Sequence, residues 1–107
     1  MPKRYAQPGE VIDAPLGDAL PTATTQVLFK AAAADMIRLV LPAGKFLPEH
    51  KVSGELIVFC LEGKVEFSLG DNTSILDPGK MLYLSPAQVH AVCALEASSL
   101  LLTRLRA

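Results

Sequence analysis

Cysteine, histidine and tryptophan are scarce in this sequence of 107 residues, which holds two cysteines, two histidines and no tryptophan. Two thiols are too few for the disulfide framework of a small secreted scaffold, so we expect a reduced, cytoplasmic protein. No apolar stretch follows Lys3 and Arg4, and no secretory signal is therefore expected. The longest unbroken apolar run, Leu56 to Leu61, is far short of the roughly 20 residues that a membrane helix needs. We expect no membrane partner.

An excess of charge of either sign is also lacking. Ten basic and eleven acidic residues leave a formal net charge of −1. The basic residues form no sustained stripe, and the nearest clusters are Lys3-Arg4 and the pair Arg104 and Arg106. Because binding to nucleic acid depends on neutralising phosphates, this balance predicts no nucleic-acid partner.

Hydrophobic residues, by contrast, make up 50% of the chain, which predicts a packed core rather than disorder. The length suits one domain and is too short for two ordinary ones. A domain this small leaves much of its surface in water, so part of its apolar content needs a second subunit to cover it. We therefore expect a homodimer.

Regularly spaced glycines divide the chain from Met36 onward into short apolar runs. Closely spaced turns between short runs are typical of a β-sandwich or β-barrel. Within one run, Lys64 to Leu69, polar and apolar residues alternate without a break, as in a half-buried strand. The predicted strands are Met36–Leu41, Leu47–Val52, Leu56–Leu61, Lys64–Leu69, Thr73–Leu76, Met81–Leu84, Val89–Leu95 and Leu100–Leu105.

The first 25 residues differ from the rest because four prolines and two glycines interrupt them. We predict that residues 1–25 form an irregular arm that packs on the barrel or on a partner, and that residues 26–107 form the barrel domain. The segment from Gln26 to Ala34 is ambiguous, since its alanines favour helix and its Val27-Leu28-Phe29 favours strand. No helical period extends beyond it, so we interpret it as a strand.

The two histidines lie in segments whose spacing resembles the two cupin motifs. Gly44, five residues and His50 match the start of the first motif, and Gly79 and His90 match the second at the right separation. Over roughly residues 36–103 the chain resembles the small single-domain cupins. The resemblance implies an all-β fold, a double-stranded β-helix or RmlC-like jelly-roll barrel.

The same resemblance implies a divalent metal held by three histidines and a glutamate, but this chain keeps only half of that ligand set. Val52 stands at the position of the second histidine, and Leu56 at that of the glutamate. His50 and His90 remain, so we expect either no cofactor or a weakly held divalent metal, which could be zinc, nickel, iron or manganese. Such a metal would lack its usual three or more protein ligands.

Two other side chains are candidates for the missing ligands. Glu55 lies one residue before the glutamate position, and strand alternation aims it at the opposite face unless a bulge near Ser53-Gly54 turns it inward. Cys60 is four residues after Leu56 in the same predicted strand, so it should also face the barrel interior. Its thiolate could then be a third ligand, beside the two imidazoles, to zinc or iron. The alternative for Cys60 is ordinary core packing, which is common for free cysteine.

Parity along the strands also predicts the residues that line the barrel interior. Two imidazoles among apolar side chains would stay neutral, which suits them to proton transfer or to gripping a polar ligand. The predicted inner face consists of Pro48, His50, Val52, Leu56, Val58, Cys60, His90 and Val92.

Three functions remain open, because a fold does not determine a function. We favour a cupin that binds a small molecule in an apolar pocket, oriented by His50 and His90. The first alternative is a metal-dependent enzyme of dioxygenase or isomerase type that uses the same two residues. The second is a stand-alone sensory or regulatory module. Whether the protein is catalytic, and through which residues, is left open.

Overall fold

The computed structural model describes residues 6–12 and 24–106, and these residues contain nine β-strands and no helix. No segment of the described chain therefore forms a helix long and apolar enough to cross a membrane. The strands are β1 Gln26–Lys30, β2 Ala34–Leu41, β3 Phe46–His50, β4 Leu56–Glu62, β5 Val65–Leu69, β6 Asn72–Leu76, β7 Met81–Leu84, β8 His90–Ala94 and β9 Ser98–Leu105.

The strands form two antiparallel sheets, one of five strands in the order β1-β2-β9-β4-β7 and one of four in the order β3-β8-β5-β6. The prediction of an all-β jelly-roll domain is confirmed. The ambiguous alanine-rich segment begins as a strand, β1, as expected. It then turns at residues 31–33, where the backbone N–H of Ala31 donates to the carbonyl of Ala34 at 2.7 Å.

The hydrophobic core lies between the two sheets and follows the alternation expected of strands. In β4, Leu56, Val58 and Cys60 are buried, whereas Ile57 and Phe59 between them are only half-buried. Each fully buried aliphatic side chain contributes about 1.5–3 kcal/mol. The buried cluster comprises Leu41, Leu56, Val58, Cys60, Val65, Phe67, Leu76, Leu84, Val92, Ala94 and Leu100.

Only parts of the predicted N-terminal arm can be compared with the structure. Residues 6–12 form no strand, and the backbone N–H of Ala6 donates to the carbonyl of Leu28 at 2.9 Å, which attaches this segment to β1. The hydroxyl of Thr25 accepts a hydrogen bond from the backbone N–H of Val40 at 2.9 Å, just before β1 begins. The rest of the arm prediction, over residues 1–5 and 13–23, lies outside the described residues.

Candidate functional site

His50, the last residue of β3, and His90, the first residue of β8, are paired directly across the two strands. Their ring centroids are 4.2 Å apart, and the ring planes meet edge-on at 62°. The register between the strands shifts after Leu47, so that β3 contains a bulge before His50. The structure therefore brings together the two histidines that the motif spacing selects.

The hydrogen bonds of the two rings determine which nitrogen carries the proton. Nδ1 of His50 lies 3.0 Å from the carbonyl oxygen of Pro48, and Nδ1 of His90 lies 3.0 Å from that of Gln88. A carbonyl oxygen can only accept, so each Nδ1 must carry the hydrogen. In a neutral ring, Nε2 is then left as an acceptor. Both imidazoles thus keep a lone pair for a ligand.

The histidine pair borders a small apolar cavity of about 50 Å³. His90 is only 2% exposed, whereas His50 is exposed, so His50 lies on the solvent side of the pair. The ring of Phe67 lies 6.2 Å from that of His90, between centroids. The lining residues are Leu39, Leu47, His50, Leu56, Val58, Phe67, His90, Val92 and Leu102.

The surroundings of His90 favour its neutral form. Burial lowers the pKa of His90 below the usual histidine value, because a charged ring would lose its solvation. The bond to the Gln88 carbonyl acts in the opposite direction and raises the pKa, while the nearby His50 lowers it further. The net lowering keeps His90 uncharged near neutral pH, ready to accept a hydrogen bond through Nε2.

Of the other predicted pocket residues, Leu56, Val58 and Val92 line the cavity, but Val52 and Cys60 do not. Val52 lies on the wall of a neighbouring cleft. Cys60 is fully buried in the core, where its Sγ lies 3.5 Å from the carbonyl oxygen of Glu62. Burial is the largest of the effects that raise the pKa of its thiol. Cys60 thus faces the interior, as its parity predicts, but it packs in the core and does not line this cavity.

Glu55 does not reach the histidine pair either. Its carboxylate accepts a hydrogen bond from the hydroxyl of Tyr83, an exposed side chain on β7. Among the residues that the structure describes, no three His, Cys, Asp or Glu side chains come together in a way that could hold a metal ion. A resident zinc normally has at least three protein ligands, so the donor set around His50 and His90 does not fit the metal centre that the cupin motifs imply.

Four lining residues were missed by the sequence analysis: Leu39, Leu47, Phe67 and Leu102. The bulge in β3 explains Leu47, because the extra residue turns Leu47 toward the cavity and leaves the predicted Pro48 exposed. The strict alternation in Lys64 to Leu69 was a signal that could have identified Phe67. Leu39 and Leu102 lie in runs that are apolar throughout, where alternation gives no signal.

A charged cluster, not predicted from the sequence, lies at one end of the inner face of the five-stranded sheet. Asp35 on β2 is directly opposite Arg104 on β9. Nη2 of Arg104 is 2.9 Å from one carboxylate oxygen of Asp35, and Nη2 of Arg106 is 2.7 Å from the other. The two guanidinium groups hold the pKa of Asp35 far below its usual range. Arg104 and Arg106 also line a cleft of about 520 Å³.

Three solved structures illustrate what this fold is similar to. A cupin superfamily protein from Desulfitobacterium hafniense is 16% identical, with a TM-score of 0.76 over 98% of this chain and 97% of that one. An RmlC-like cupin from Desulfovibrio desulfuricans is 26% identical, with a TM-score of 0.68 over 77% and 80%. The DMSP lyase DddQ from Ruegeria pomeroyi is 24% identical, with a TM-score of 0.69 over 78% of this chain and 46% of that one. These likenesses agree on the cupin fold.

Comparison of the sequence with family models gives a more specific result. The model of the AraC-like ligand binding domain matches residues 31–97, which is more than half of the chain. Comparison with curated protein sequences finds no match. The matched range includes both histidines and every strand from β2 to β8. The chain therefore belongs to the family of AraC-like ligand-binding domains, and its fold is that of a small cupin.

Proposed function

We propose that this protein binds a compact small molecule in the cavity beside His50 and His90. The observation that carries the proposal is the pair of Nδ1 hydrogen bonds to the carbonyls of Pro48 and Gln88. These bonds orient both rings and leave two Nε2 acceptors beside one apolar space. Such a space with a few convergent polar atoms is the usual form of a ligand site.

The size of the cavity limits what can enter it. A volume of about 50 Å³ is well below the roughly 300–1,000 Å³ of most ligand pockets. The cavity therefore suits a small end group, such as a hydroxyl-bearing carbon, that donates a hydrogen bond to Nε2 of His90. The remainder of the ligand would lie on the solvent side, past His50.

A sensory role is the second candidate, and the family match favours it. If a domain of the AraC-like ligand-binding type signals the presence of its ligand, it needs a second protein whose activity it changes. In this reading the chain binds a small molecule at the same two histidines and passes the change to a second protein. The proposed site is unchanged, and only the consequence of binding differs.

The metal-dependent enzyme is less well supported, because the donor set stops at two imidazoles. Two ligands completed by water bind a divalent metal weakly. We expect untagged protein to carry less than about 0.1 equivalent of zinc, nickel, iron or manganese, and its melting temperature to be unchanged by a chelator. A stoichiometric metal that is lost in His50→Ala would instead support the enzyme.

Native mass spectrometry of untagged protein tests the binding proposal. We expect each 11.4 kDa chain, within whatever assembly is observed, to carry the additional mass of one small molecule. His90→Phe should abolish that species, because it removes the buried acceptor and fills the cavity. Glu49→Gln is the matched control, since Glu49 is exposed and adjacent to His50 in the chain. A bare chain, with no melting shift across a library of small polar fragments, would contradict the proposal.

We also propose that the protein acts as a homodimer in the cytoplasm. Met81 and Tyr83, 65% and 56% exposed, lie on β7 at the edge of the five-stranded sheet. They pair with Phe59 and Ile57 of β4, which are only half-buried, and a second copy would cover this apolar face. Both cysteines are free, which suits a reducing compartment. A mass near 11.4 kDa by light scattering at high concentration would contradict the dimer.

A further inference from the structure

In the cluster of Asp35, Arg104 and Arg106, two positively charged side chains share a single carboxylate. Asp35 is 2% exposed and offers one carboxylate, to which each guanidinium donates through a single nitrogen, Nη2. Arg106 uses the same nitrogen to reach the carbonyl of Ala31 at 3.2 Å. Within the described residues, Nε and Nη1 of both arginines have no hydrogen-bond acceptor. Two guanidinium groups and one carboxylate leave a net charge of +1 at this point.

Arg104 and Arg106 border a cleft of ordinary ligand-site dimensions. Its volume of about 520 Å³ falls within the roughly 300–1,000 Å³ of small-molecule sites. The buried carboxylate of Asp35 fixes the position of both guanidinium groups, so little side-chain freedom is left to lose when a ligand binds. The walls are formed by Val52, Ser53, Gly54, Arg104, Leu105 and Arg106.

The cleft lies next to the histidine cavity. Leu102, which lines that cavity, is two residues before Arg104 on β9, so the two side chains share a face about 7 Å apart. Leu56, another lining residue, is directly opposite Arg104 across β4 and β9. Val52 lines the cleft and packs against the hydrophobic core. The arginine cluster and the histidine cavity are therefore neighbours on the inner face of the five-stranded sheet.

We propose that the cleft binds the carboxylate of a small organic acid through Arg104 and Arg106, while the other end of the acid enters the histidine cavity. The proposal rests on the binding function proposed above and names the class of ligand. The net charge of +1 attracts an anion, and the apolar lining of the neighbouring cavity favours an anion that carries a carbon chain. A planar guanidinium also binds a carboxylate in a fixed, paired geometry.

Titration of ¹⁵N-labelled protein by NMR, at constant ionic strength, tests this assignment. The probes are propionate, its neutral analogue propionamide, and inorganic phosphate. Propionate should give saturating shifts at the backbone amides of Ser53, Gly54 and Leu105 and at Nε of Arg104. Propionamide should bind the cleft more weakly because it lacks the negative charge that pairs with the guanidinium groups. Inorganic phosphate should also bind more weakly, because it has no apolar part to bury in the histidine cavity.

Variants separate the arginine contact from general charge effects. Arg104→Gln should weaken the binding of propionate at least about tenfold, because it removes charge-assisted hydrogen bonds. Arg106→Gln should have a similar effect, and it leaves the Arg104–Asp35 pair in place to support the fold. Lys45→Gln is the matched control, because it removes one positive charge from an exposed residue between β2 and β3. That variant should bind propionate as the unmodified protein does.

The outcomes distinguish this assignment from the binding function on which it rests. If propionate binds the cleft no better than propionamide, if phosphate binds more tightly, or if both arginine variants bind propionate normally, the carboxylate assignment is wrong. In any of these cases, shifts of the His50 and His90 imidazole signals with propionamide would still support the histidine site. If no probe moves the cleft signals, the carboxylate assignment is wrong, and the native mass spectra and fragment library described above decide the binding function separately.

Discussion

His90 lies directly opposite His50 across β3 and β8, and each ring is anchored by its own Nδ1 to the carbonyl two residues earlier. The symmetry of these bonds gives both imidazoles the same tautomer. The environments differ, because His90 is buried and His50 is exposed. The pair therefore combines an interior acceptor with one that solvent can reach.

The buried histidine predicts a loss of stability in mild acid. The pKa of His90 is lowered in the folded protein, so the unfolded chain binds a proton more readily. The stabilisation is complete above the usual histidine pKa of about 6.5 and is lost as the pH falls through the lower folded value. Urea unfolding should give a smaller free energy of unfolding at about pH 5 than at about pH 7.5.

The control for this prediction is His90→Gln, which cannot titrate in the same range. Its free energy of unfolding should change less between the two pH values than that of the unmodified protein. Equal pH dependence in both proteins would show that His90 does not carry the effect.

The buried carboxylate of Asp35 is expected to stabilise the fold. Asp35→Asn removes the charge that pairs with Arg104 and Arg106, so it should lower the melting temperature at neutral pH. Because the folded pKa of Asp35 is far below its usual value of about 3.9, the difference should persist at pH 4 and shrink only in stronger acid. Thermal unfolding of the two proteins across this range checks the prediction.

Asp77 provides the matched comparison, since it pairs with Lys80 at 3.1 Å on the surface. Exposed pairs of this kind contribute about 0–1 kcal/mol. Asp77→Asn should therefore destabilise the protein less than Asp35→Asn. If the two substitutions had equal effects, the role assigned to the buried cluster would be wrong.

We expect substitution by alanine to have very different costs at two glycines that have similar backbone angles. Gly63 and Gly70 have φ values of +86° and +64°, which disfavour any residue with a Cβ. A Cβ at Gly70 meets nothing within 4 Å, whereas one at Gly63 would overlap the carbonyl oxygen of Ala97 and the hydroxyl of Ser98. Gly70→Ala should cost about 1 kcal/mol, and Gly63→Ala about 1–3 kcal/mol more. Chemical denaturation measures the free energy of unfolding of both variants. Equal losses of stability would contradict the close approach of Ala97 and Ser98 to Gly63.

The sequence predicted the strands well because turn glycines and apolar alternation are local signals. The predicted strand Lys64–Leu69 corresponds to β5, Val65–Leu69, and Met81–Leu84 is β7 itself. Parity within β4 likewise placed Leu56 and Val58 on the inner face, where they line the cavity. Local periodicity therefore sufficed for most of the fold and for part of the site.

The remainder of the site depends on relationships that local periodicity does not contain. Because of the bulge in β3, Leu47 rather than Pro48 lies on the inner face. One extra residue reverses which alternate side chains point inward. The contact of Asp35 with Arg104 requires the pairing of β2 with β9, strands that are distant in the chain. Nothing in the sequence near Asp35 indicates that pairing, so the charged cluster appeared only in the structure.

The most direct test of the account is the tautomer of the two imidazoles, read from long-range ¹H–¹⁵N NMR spectra at about pH 7.5. We predict that both rings carry their hydrogen on Nδ1, with an unprotonated Nε2. We also predict a nuclear Overhauser effect between the rings of His50 and His90, whose centroids are 4.2 Å apart. Hydrogens on Nε2, or the absence of any effect between the rings, would contradict a shared ligand site.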